Sequence, residues 1–389
     1  MSPANVGQPA EFSKGLAGVV AGETAISSLD DSLRYRGYPI DQLAAGSFEE
    51  TAFLLLHGEL PDARELAAFA AEIATAAASL DAAVSEALAL LARREPAASV
   101  MDALRSGVSI LGQIERDDGP ETGRGADADA MRQAATRLIG QTAAILATWV
   151  DLVAGREADL WPEGRLAESL LARLTRRRPS AEQAAAFDTT LVLYAEHEFN
   201  ASTFAARTVA STGSDMHSAV VAAIGGLKGP LHGGANEQVL DSLLAIGSPE
   251  RAEAWVESML AAKKVVMGFG HRVYKDGDER ARLLGPLCRR LGEARFEAIA
   301  ATVEAVMLER KGLKPNLDWP AARIYQALGL HRSVFTPIFV VSRMSGWTAH
   351  VIEQAGNNRL IRPLSRYVGR PPREAQPLSE RPSAGGRTD

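Results

Sequence analysis

The apolar residues of this chain recur mainly at helical spacing. Phe48, Ala52 and Leu55 fall on one face of a 3.6-residue period, and Gly58 ends the helix that they predict. The same spacing continues through alanine-rich and apolar stretches, and it predicts further helices over 62–79, 81–93, 97–112, 128–154 and 163–174. Strand patterns are few after residue 40, so we predict a mainly α protein.

One helix start is marked by a polar motif. Ser180 and Gln183 have the spacing of a capping box, in which each side chain accepts a hydrogen bond from the backbone N–H of the other residue. The motif predicts a helix that begins after Ser180. We expect this helix to carry His197.

Residues 15–40 differ from the helical body. Two β-favouring runs, 18–21 and 25–29, are followed by a polar turn at 30–32 and a third run at 33–38. This alternation of runs and turn predicts a small β-ribbon at the N-terminus.

The composition narrows the class of protein without identifying it. The 389 residues are 46% hydrophobic and 23% charged, with a mean hydropathy of −0.06, which is typical of a soluble globular protein of one or two domains. A net charge of −6 and a pI of about 5.8 argue against nucleic acid or an anionic membrane as the main partner. The single cysteine, Cys288, excludes an intrachain disulfide and a cysteine-based metal site, and it fits a reducing compartment.

The sequence has no recognisable signal for export or for a membrane. Residues 1–14 have neither the apolar core and cleavage site of a signal peptide nor the Arg-rich amphipathic pattern of a transit peptide. No apolar run approaches the ~20 residues that span a bilayer. We therefore expect a cytoplasmic protein without a membrane partner.

Three histidines and one aspartate stand out by their local sequence. His197, His232 and His271 each lie beside small or apolar residues, where an imidazole can stay neutral. Asp318 adds a carboxylate, and several arginines lie downstream of these histidines. Such a set can take a proton from a weak carbon acid while it holds a polyanion.

The surroundings of His232 are the most informative. Glycines and Pro230 flank this histidine, which prevents a regular helix and lets the backbone approach a ligand closely. The sequence from Ala235 onward predicts a helix start, whose dipole favours a neutral imidazole. A neutral histidine can donate a hydrogen bond to a developing enolate.

Each fragment taken alone also has an ordinary structural interpretation. A single helical histidine is more often a core residue than a ligand, and 315–318 alone is typical of a turn. His197-Glu198 lacks the second histidine of a zinc helix, and 268–270 lacks the third glycine and the βαβ unit of a dinucleotide loop, so we expect no metal and no nucleotide-binding fold. The residues expected to be structural or solvated are His57, His217, His331, His350, Arg173, Arg176, Arg177 and Arg178.

In this order, however, the segments resemble the citrate synthase family. The motifs that carry the resemblance are HEFNAST at 197–203, GPLHGGAN at 229–236, GFGHRVYK at 268–275 and PNLD at 315–318. The N-terminal ribbon and the segments 335–339, 342–343, 346–350 and 358–363 match as well, so the resemblance covers about residues 15 to 381.

The resemblance implies a role for each site residue. The catalytic residues would be Asp318, the base for a proton of the acyl-CoA thioester, His232, which stabilises the enolate, and His271, which donates to the ketone oxygen of a 2-oxo acid. The residues implied to bind the 2-oxo acid are His197, Arg280, Arg343 and, from the partner subunit, Arg362. The residues implied to contact coenzyme A are Val265, Met267, Gly268, Gly270 and Lys275.

Two positions depart from the family pattern. Asp278-Glu279-Arg280 stands where the family has Asp-Pro-Arg, so the geometry of that turn is expected to differ. Trp319-Pro320 follows the base where an aromatic pair is usual. That exchange alters the expected wall beside Asp318 and leaves the choice of acyl group open.

The resemblance implies a mainly α homodimer with a citrate synthase-like two-domain fold. The large domain would span 1–232 and 327–389, and the small domain would span 233–326. The Pro-, Arg-, Ser- and Gly-rich composition of 370–389 separately predicts a disordered tail at about 382–389. The implied reaction condenses acetyl-CoA with oxaloacetate and hydrolyses the thioester to citrate and CoA, as in the tricarboxylic acid cycle, with no cofactor besides the CoA substrate. A 2-methylcitrate synthase that uses propionyl-CoA, and a non-catalytic sensor of CoA or organic acids, are the alternatives.

Overall fold

The computed structural model describes residues 12–95, 97–115, 127–157, 161–271, 274 and 276–381. Helices dominate this part of the chain, which confirms the mainly α prediction; the expected disordered tail at 382–389 lies outside it. The helices are α1 (Ile40–Leu43), α2 (Phe48–His57), α3 (Ala63–Ala78), α4 (Ala82–Arg94), α5 (Val100–Ile114), α6 (Ala128–Val153), α7 (Leu166–Thr175), α8 (Ala181–Tyr194), α9 (Ala201–Ala210), α10 (Met216–Lys228), α11 (Ala235–Ile246), α12 (Pro249–Ala261), α13 (Glu279–Leu291), α14 (Ala294–Lys311), α15 (Asp318–Ala327) and α16 (Phe335–Gly356). Single 3-10 turns cover Lys14–Leu16, Arg332–Val334 and Leu378–Glu380.

The predicted helices are present with ends shifted by less than one turn, as a comparison with α3 to α7 shows. The capping box is also present. Ser180 Oγ accepts from the Gln183 N–H at 3.2 Å, and Gln183 Oε1 accepts from the Ser180 N–H at 2.9 Å. Within the described ranges no single helix is long and apolar enough to cross a bilayer, and α3 with α4 meets the length and composition criteria only as a bent pair.

Three two-residue strands form the N-terminal ribbon: β1 (Ser27–Ser28), β2 (Arg34–Tyr35) and β3 (Tyr38–Pro39). They pair antiparallel in the order β1-β2-β3. The expected β-favouring run at 18–21 forms no strand, and Val19 and Val20 are exposed. A β-favouring run that has no neighbouring strand gains nothing from strand structure, since strand preference reflects packing on a sheet.

Helix α8 ends before His197, so this residue lies outside the helix in which the sequence suggests it. Two residues of the N-terminal ribbon form hydrogen bonds with the backbone on either side of His197. The Tyr35 hydroxyl donates to the Glu196 carbonyl at 2.9 Å, and the Glu198 N–H donates to Ser27 Oγ at 3.1 Å. Glu198 has a φ of 48°, which a right-handed helix does not allow. These contacts fix the position of the segment that carries His197.

Helix α16 forms the centre of the helical body. Its side chains are buried along nearly its whole length, and it packs on α2, α6, α8, α9 and α10. A helix that is buried on every side has no solvated face for polar groups, so Arg343 and His350 on α16 must find partners in the interior. Gly346 lets α16 approach the segment after α8, because a Cβ there would lie 2.4 Å from the Ala195 carbonyl oxygen.

A buried ionic network joins α16 to α9 and to the N-terminal ribbon. The Glu196 carboxylate accepts from Ser27 Oγ at 3.0 Å and from His350 Nε2 at 3.0 Å. The Arg207 guanidinium lies 2.8 Å from His350 Nδ1, and because arginine can only donate, the His350 proton sits on Nε2. Burial acts to raise the pKa of Glu196, but His350 and Arg343 outweigh burial and lower it.

Helices α11 to α15 pack mainly on one another. Helix α12 packs on α14, and α15 packs on both α13 and α11, while α13 and α15 also contact α8. Two segments of this group are joined by a bridge between Phe269 and Pro315 and by a hydrogen bond from the Asn316 N–H to the Gly268 carbonyl at 2.8 Å. The bridge places the segment 315–318, which leads into α15, beside the glycine-containing segment 268–270. The domain boundaries at 232 and 327 remain predictions.

The basic run near the end of α7 is not wholly solvated, contrary to expectation. Arg173 is buried and donates to the buried Asp151 carboxylate at 2.8 Å, and Arg176 lies 2.5 Å from the same carboxylate. Arg177 and Arg178 are exposed, as expected. Asp151 near the end of α6 therefore joins α6 to α7 through a buried ion pair.

We predict that Asp151→Asn lowers the free energy of unfolding by about 3 kcal/mol or more, because it removes the charge that faces a buried guanidinium. The matched control is Glu182→Gln, which removes an exposed carboxylate that lies 3.0 Å from Arg290. The control should cost at most about 1 kcal/mol. Urea unfolding of both variants measures the difference, and equal small effects would contradict a buried ionic link.

Candidate active site

Most of the site residues predicted from the sequence line one cleft with a volume of about 990 Å³. The segment after α8, the turn before α11, the segments that precede α13 and α15, and helix α16 form its wall. The predicted residues on the wall are His197, His232, Gly270, His271, Arg280, Asp318 and Arg343. Arg362 is exposed and lies outside this lining.

His232 is held by the start of α9. Its Nε2 accepts from the backbone N–H of Ser202 at 3.3 Å and lies 2.8 Å from Ser202 Oγ. Because a backbone N–H can only donate, a neutral His232 carries its proton on Nδ1. Burial lowers the pKa of His232 to about 4, and Arg343 lowers it as well. The neutral form is thus favoured by burial first and by the Arg343 charge second, and the contribution of the α11 dipole stays a prediction.

Asp318 is the first residue of α15 and lies half-buried in the lining of the cleft. Its Oδ1 accepts from the Tyr194 hydroxyl at 2.7 Å, and its backbone N–H donates to Asn316 Oδ1 at 3.1 Å. Burial raises the pKa of Asp318 to about 6, while the Tyr194 hydrogen bond and the Arg280 charge oppose the rise. The carboxylate is therefore ionised at neutral pH but is a stronger base than an exposed aspartate.

His197 and His271 face each other, with a distance of 5.1 Å between their ring centroids. His197 Nε2 lies 3.0 Å from the Tyr274 hydroxyl. Burial and then the Arg280 charge lower the pKa of both histidines, that of His271 to about 4 and that of His197 well below its usual value. Both rings are consequently neutral at pH 7 and can donate one hydrogen bond each.

Arg280 is buried and is held by a carboxylate from its own turn. Its Nε and Nη2 donate to the two Asp278 carboxylate oxygens at 3.0 Å and 2.9 Å. Burial acts to lower the pKa of Arg280, but Asp278 outweighs burial and raises it. Asp278 also accepts from the Leu317 N–H at 3.0 Å. The Asp-Glu-Arg turn is therefore a helix start at which Asp278 links Arg280 to the segment that carries Asp318.

Arg343 brings a second buried cation from α16. Its Nε donates to the Tyr194 carbonyl at 2.6 Å, and its guanidinium carbon lies 4.7 Å from the centroid of the Phe339 ring. Burial lowers the pKa of Arg343 to about 10, against the pull of Glu196. Arg343 stays charged at pH 7, so two cations and three neutral histidines surround the cleft. The two guanidinium groups are suited to bind carboxylates, while Asp278, which pairs with Arg280, and the carboxyl groups of Glu198 and Asp318 lie in the same lining.

The residues expected to contact coenzyme A differ in exposure, and only one of those described lines the cleft. Gly270 lines the cleft, Met267 is half-buried and Val265 is 70% exposed. Gly268 has a φ of 87°, and a Cβ there would lie 2.9 Å from Trp319, so this glycine serves backbone packing. Lys275 lies outside the described residues.

Trp319 does not form the wall beside the base that its sequence position suggests. Its ring is 1% exposed and lies 4.7 Å from the Phe269 ring centroid, and its Nε1 donates to Glu304 at 2.7 Å. Successive side chains on a helix point about 100° apart, so Asp318 faces the cleft while Trp319 faces α14. The cleft lining near the base includes Tyr194, Leu317 and Phe339.

The sequence does not indicate several residues that bond the site groups directly. They are Tyr194, Ser202, Tyr274 and Asp278. A helix-start pattern could have indicated Ser202, because Asn200 caps α9 and the first backbone N–H groups of a helix are free to donate. No local pattern could have indicated Tyr194, whose partner lies 124 residues away in the chain.

Comparison with known proteins identifies the family of the chain. The family described as citrate synthase, C-terminal domain, matches residues 15–364. The chain is 43% identical to 2-methylcitrate synthase 2 of Corynebacterium glutamicum (95% of this chain, 97% of the relative) and 42% identical to citrate synthase of Mycolicibacterium smegmatis (96% and 99%). Its fold is similar to that of the Thermoplasma acidophilum citrate synthase solved as a ternary complex with carboxymethyl coenzyme A and oxaloacetate, with a TM-score of 0.87, 32% identity and coverage of 95% and 100%.

A helical protein whose cleft combines a half-buried carboxylate with a raised pKa, neutral histidines and arginines is suited to carbon–carbon condensation on an anionic substrate. The chain belongs to the citrate synthase family. It is a condensing enzyme of the transferase type, and its relatives include citrate synthases and 2-methylcitrate synthases alike.

We predict that Asp318→Asn raises the free energy of unfolding at pH 7.5 by up to about 3 kcal/mol, since burial shifts the pKa of Asp318 from 3.8 to about 6. A raised pKa in the folded state means that the ionised carboxylate destabilises the fold above pH 6. The gain should shrink as the pH falls from 6 towards 4. Guanidinium unfolding across this range measures the effect.

Asp102 is the matched control, because its hydrogen bond with Lys228 lowers the pKa of this carboxyl. Asp102→Asn should therefore lower the stability at neutral pH, which is the opposite sign. A stability loss with Asp318→Asn that does not vary with pH would contradict the raised pKa.

Proposed function

We propose that the enzyme condenses acetyl-CoA with oxaloacetate and then hydrolyses the citryl thioester to citrate and CoA, in the cytoplasm and without a metal or a cofactor besides its CoA substrate. The observation that carries the proposal is the meeting of Asp318, His232 and His271 in one cleft with Arg280 and Arg343. No single one of these groups would specify the reaction.

The first step is removal of a methyl proton from the thioester. Asp318 takes the proton, and the C–H electron pair moves towards the thioester oxygen as an enolate or enol. His232 Nδ1–H, which is left available by the Ser202 contact to Nε2, donates to that oxygen. A thioester α-proton is a very weak acid, so base and donor act together, and each contributes about 10²–10⁴-fold.

In the second step the nucleophilic carbon attacks the ketone carbon of oxaloacetate. The new carbon–carbon bond forms as the ketone π pair moves to oxygen, and His271 supplies a proton to that oxygen. His197, Arg280 and Arg343 bind the carboxylates, for which planar guanidinium groups are suited by their paired donors. Water then attacks the citryl thioester, the carbon–sulfur bond breaks, and CoA leaves as the thiol.

The acyl group is the open part of the proposal. A second candidate is 2-methylcitrate synthase activity with propionyl-CoA, and the 43% identity to two such enzymes supports it about as well as the 42% identity to a citrate synthase supports the first candidate. One methylene is worth about 1–3 kcal/mol of discrimination in an apolar pocket. The two functions therefore differ in a ratio of rates rather than in the catalytic residues.

We predict release of CoA thiol only when oxaloacetate and an acyl-CoA are both present. The ratio of kcat/KM for acetyl-CoA to that for propionyl-CoA should be about 10 to 200, the range that one methylene supports. Asp318→Asn should lower kcat by at least about 100-fold, with the affinity for oxaloacetate, measured by calorimetry, changed by no more than a few fold.

The possible outcomes separate the candidates. A ratio below one assigns the enzyme to 2-methylcitrate synthesis. Failure of the wild-type protein to release CoA with any 2-oxo acid favours the sensor alternative. A loss of less than about tenfold in Asp318→Asn would mean that Asp318 is not the base.

We further propose that the enzyme acts as a homodimer with shared active sites. Arg362 is exposed and is not part of the lining of its own cleft. The large apolar side chains near it in the chain are also exposed: Leu360, Leu364, Tyr367 and Val368. A strip of this composition gains stability by lying on another surface. Arg362 of the partner subunit would then complete the oxaloacetate site.

We predict complementation between two inactive variants, Arg362→Ala and His271→Ala. If the sites are shared, subunit exchange in an equal mixture produces hybrid dimers with one intact site, and the activity should approach about a quarter of the wild-type value. Exchange is verified by mass spectrometry of differently tagged subunits. Absence of recovery after verified exchange would assign Arg362 to its own subunit or to no site.

A further inference from the structure

Tyr194 connects two site groups that come from different parts of the chain. It is the last residue of α8, it is buried, and its hydroxyl donates to Asp318 Oδ1 at 2.7 Å. Its backbone carbonyl accepts from Arg343 Nε at 2.6 Å, and its ring centroid lies 4.4 Å from that of Phe339. A side chain anchored at both its ring and its backbone cannot follow Asp318 if the carboxylate rotates, so the hydroxyl acts as a fixed point.

The other charges near the base act from a distance. Asp278 acts to raise the pKa of Asp318, while Arg280 and Arg343 act to lower it. In the described part of the chain, the Tyr194 hydroxyl is the one side-chain donor bonded to the Asp318 carboxylate. Burial and the neighbouring Asp318 charge raise the pKa of Tyr194 well above its usual value, so the phenol keeps its proton throughout the working range.

We propose that Tyr194 is a positioning residue for the base: by holding Asp318 Oδ1 it leaves Oδ2 as the oxygen that takes the acyl proton, and it keeps the base ionised at neutral pH. The inference rests on the proposed function, which makes Asp318 the base. During the step the proton moves from the acyl carbon to Oδ2, the carbon electron pair goes to the enolate, and Tyr194 remains protonated. Oδ1 accepts the same hydrogen bond before and after transfer, so the carboxyl group does not have to rotate.

A tyrosine that serves only as core packing would behave differently, and the chain offers such a residue nearby. Tyr325 lies on α15, the helix that begins with Asp318, and is fully buried. Its ring packs against Phe187 and Phe335, at 6.0 Å and 5.1 Å between centroids. Among the described residues it makes no hydrogen bond to Asp318, so Tyr325→Phe is a matched control that removes the same atom from the same interior.

The test is the pH dependence of kcat/KM for the acyl-CoA. In the wild-type enzyme the acid limb should lie near pH 6, where Asp318 titrates, since His232 and His271 titrate near 4. Tyr194→Phe should move this limb upward by about one pH unit, which is about tenfold in the protonation equilibrium, because the ionised base loses its donor. The KM for oxaloacetate should change little, and Tyr325→Phe should leave the limb in place.

A second variant is expected to shift the acid limb of the pH profile in the opposite direction. Replacement of Tyr194 by 3,5-difluorotyrosine makes the phenol a stronger donor at nearly constant shape, so the acid limb should move downward. A limb that neither replacement moves, or one that Tyr325→Phe moves equally, overturns the proposal.

Failure of the proposed function itself would be recognised separately, because the wild-type protein would then release no CoA and Asp318→Asn would have no activity to lose. In that case the effect of the Tyr194 hydrogen bond on the titration of Asp318 is measured by protein stability instead of by catalysis. The stability difference between wild type and Asp318→Asn is followed against pH by unfolding, and again with Tyr194→Phe in both proteins. Its midpoint should rise in the Tyr194→Phe background, and an unchanged midpoint would also overturn the proposal.

Discussion

A carboxylate inside a helical core needs positive charge and hydrogen bonds around it, because an unpaired buried ion costs several kcal/mol. Glu196 meets this requirement with the His350 N–H, the Ser27 hydroxyl and the field of Arg343. The partners come from the N-terminal ribbon and from α16, and Arg207 extends the network to α9. Since the next residue in the chain is His197, one buried ion fixes the position of that histidine relative to Arg343.

The arginines add to the effect of burial on the pKa of the histidines. Burial is the largest cause of the low pKa of His197, His232 and His271, but a guanidinium charge adds to it at each one. Positive charge in the cleft is thus confined to groups that do not lose it near neutral pH, whereas the rings act as neutral donors. Repulsion between like charges explains this difference, because an imidazolium ion beside two buried guanidinium groups would raise the energy of the empty site.

The helical class and the positions of α2 to α8 could be predicted from the sequence, because amphipathic spacing and the Ser180–Gln183 capping box are local properties. The same reasoning was wrong at His197 and Arg173, whose surroundings depend on distant partners, Tyr35 through the backbone and Asp151 through charge. Trp319 shows that the direction in which a helical side chain points is also not predictable from local sequence. Its neighbour Asp318 faces the cleft, and only the packing of α15 on its surroundings decides which of the two residues does so.

The site could be predicted as a set of residues, since the segments with histidines carry the family resemblance. Its hydrogen bonds could not be, because Ser202 and Tyr194 bond groups that are distant in sequence. The Ser202 contact determines the tautomer of His232, and the Tyr194 hydrogen bond lowers the pKa of Asp318 against the effect of burial. The sequence therefore suggests which groups are present, and the fold determines what protonation state each one has.

The pairing of Arg280 with Asp278 has a consequence for what the empty cleft admits. The cation is already bound on both its Nε and Nη2 by a carboxylate two residues away in the same turn. A tethered carboxylate has an effective local concentration of millimolar or more, so small single-charged anions in solution compete with it poorly. Arg343, the second guanidinium group in the cleft lining, donates to a backbone carbonyl instead of a carboxylate. Asp278 therefore competes with an incoming anion for two donor groups of Arg280, and no such carboxylate is bonded to Arg343 among the described residues.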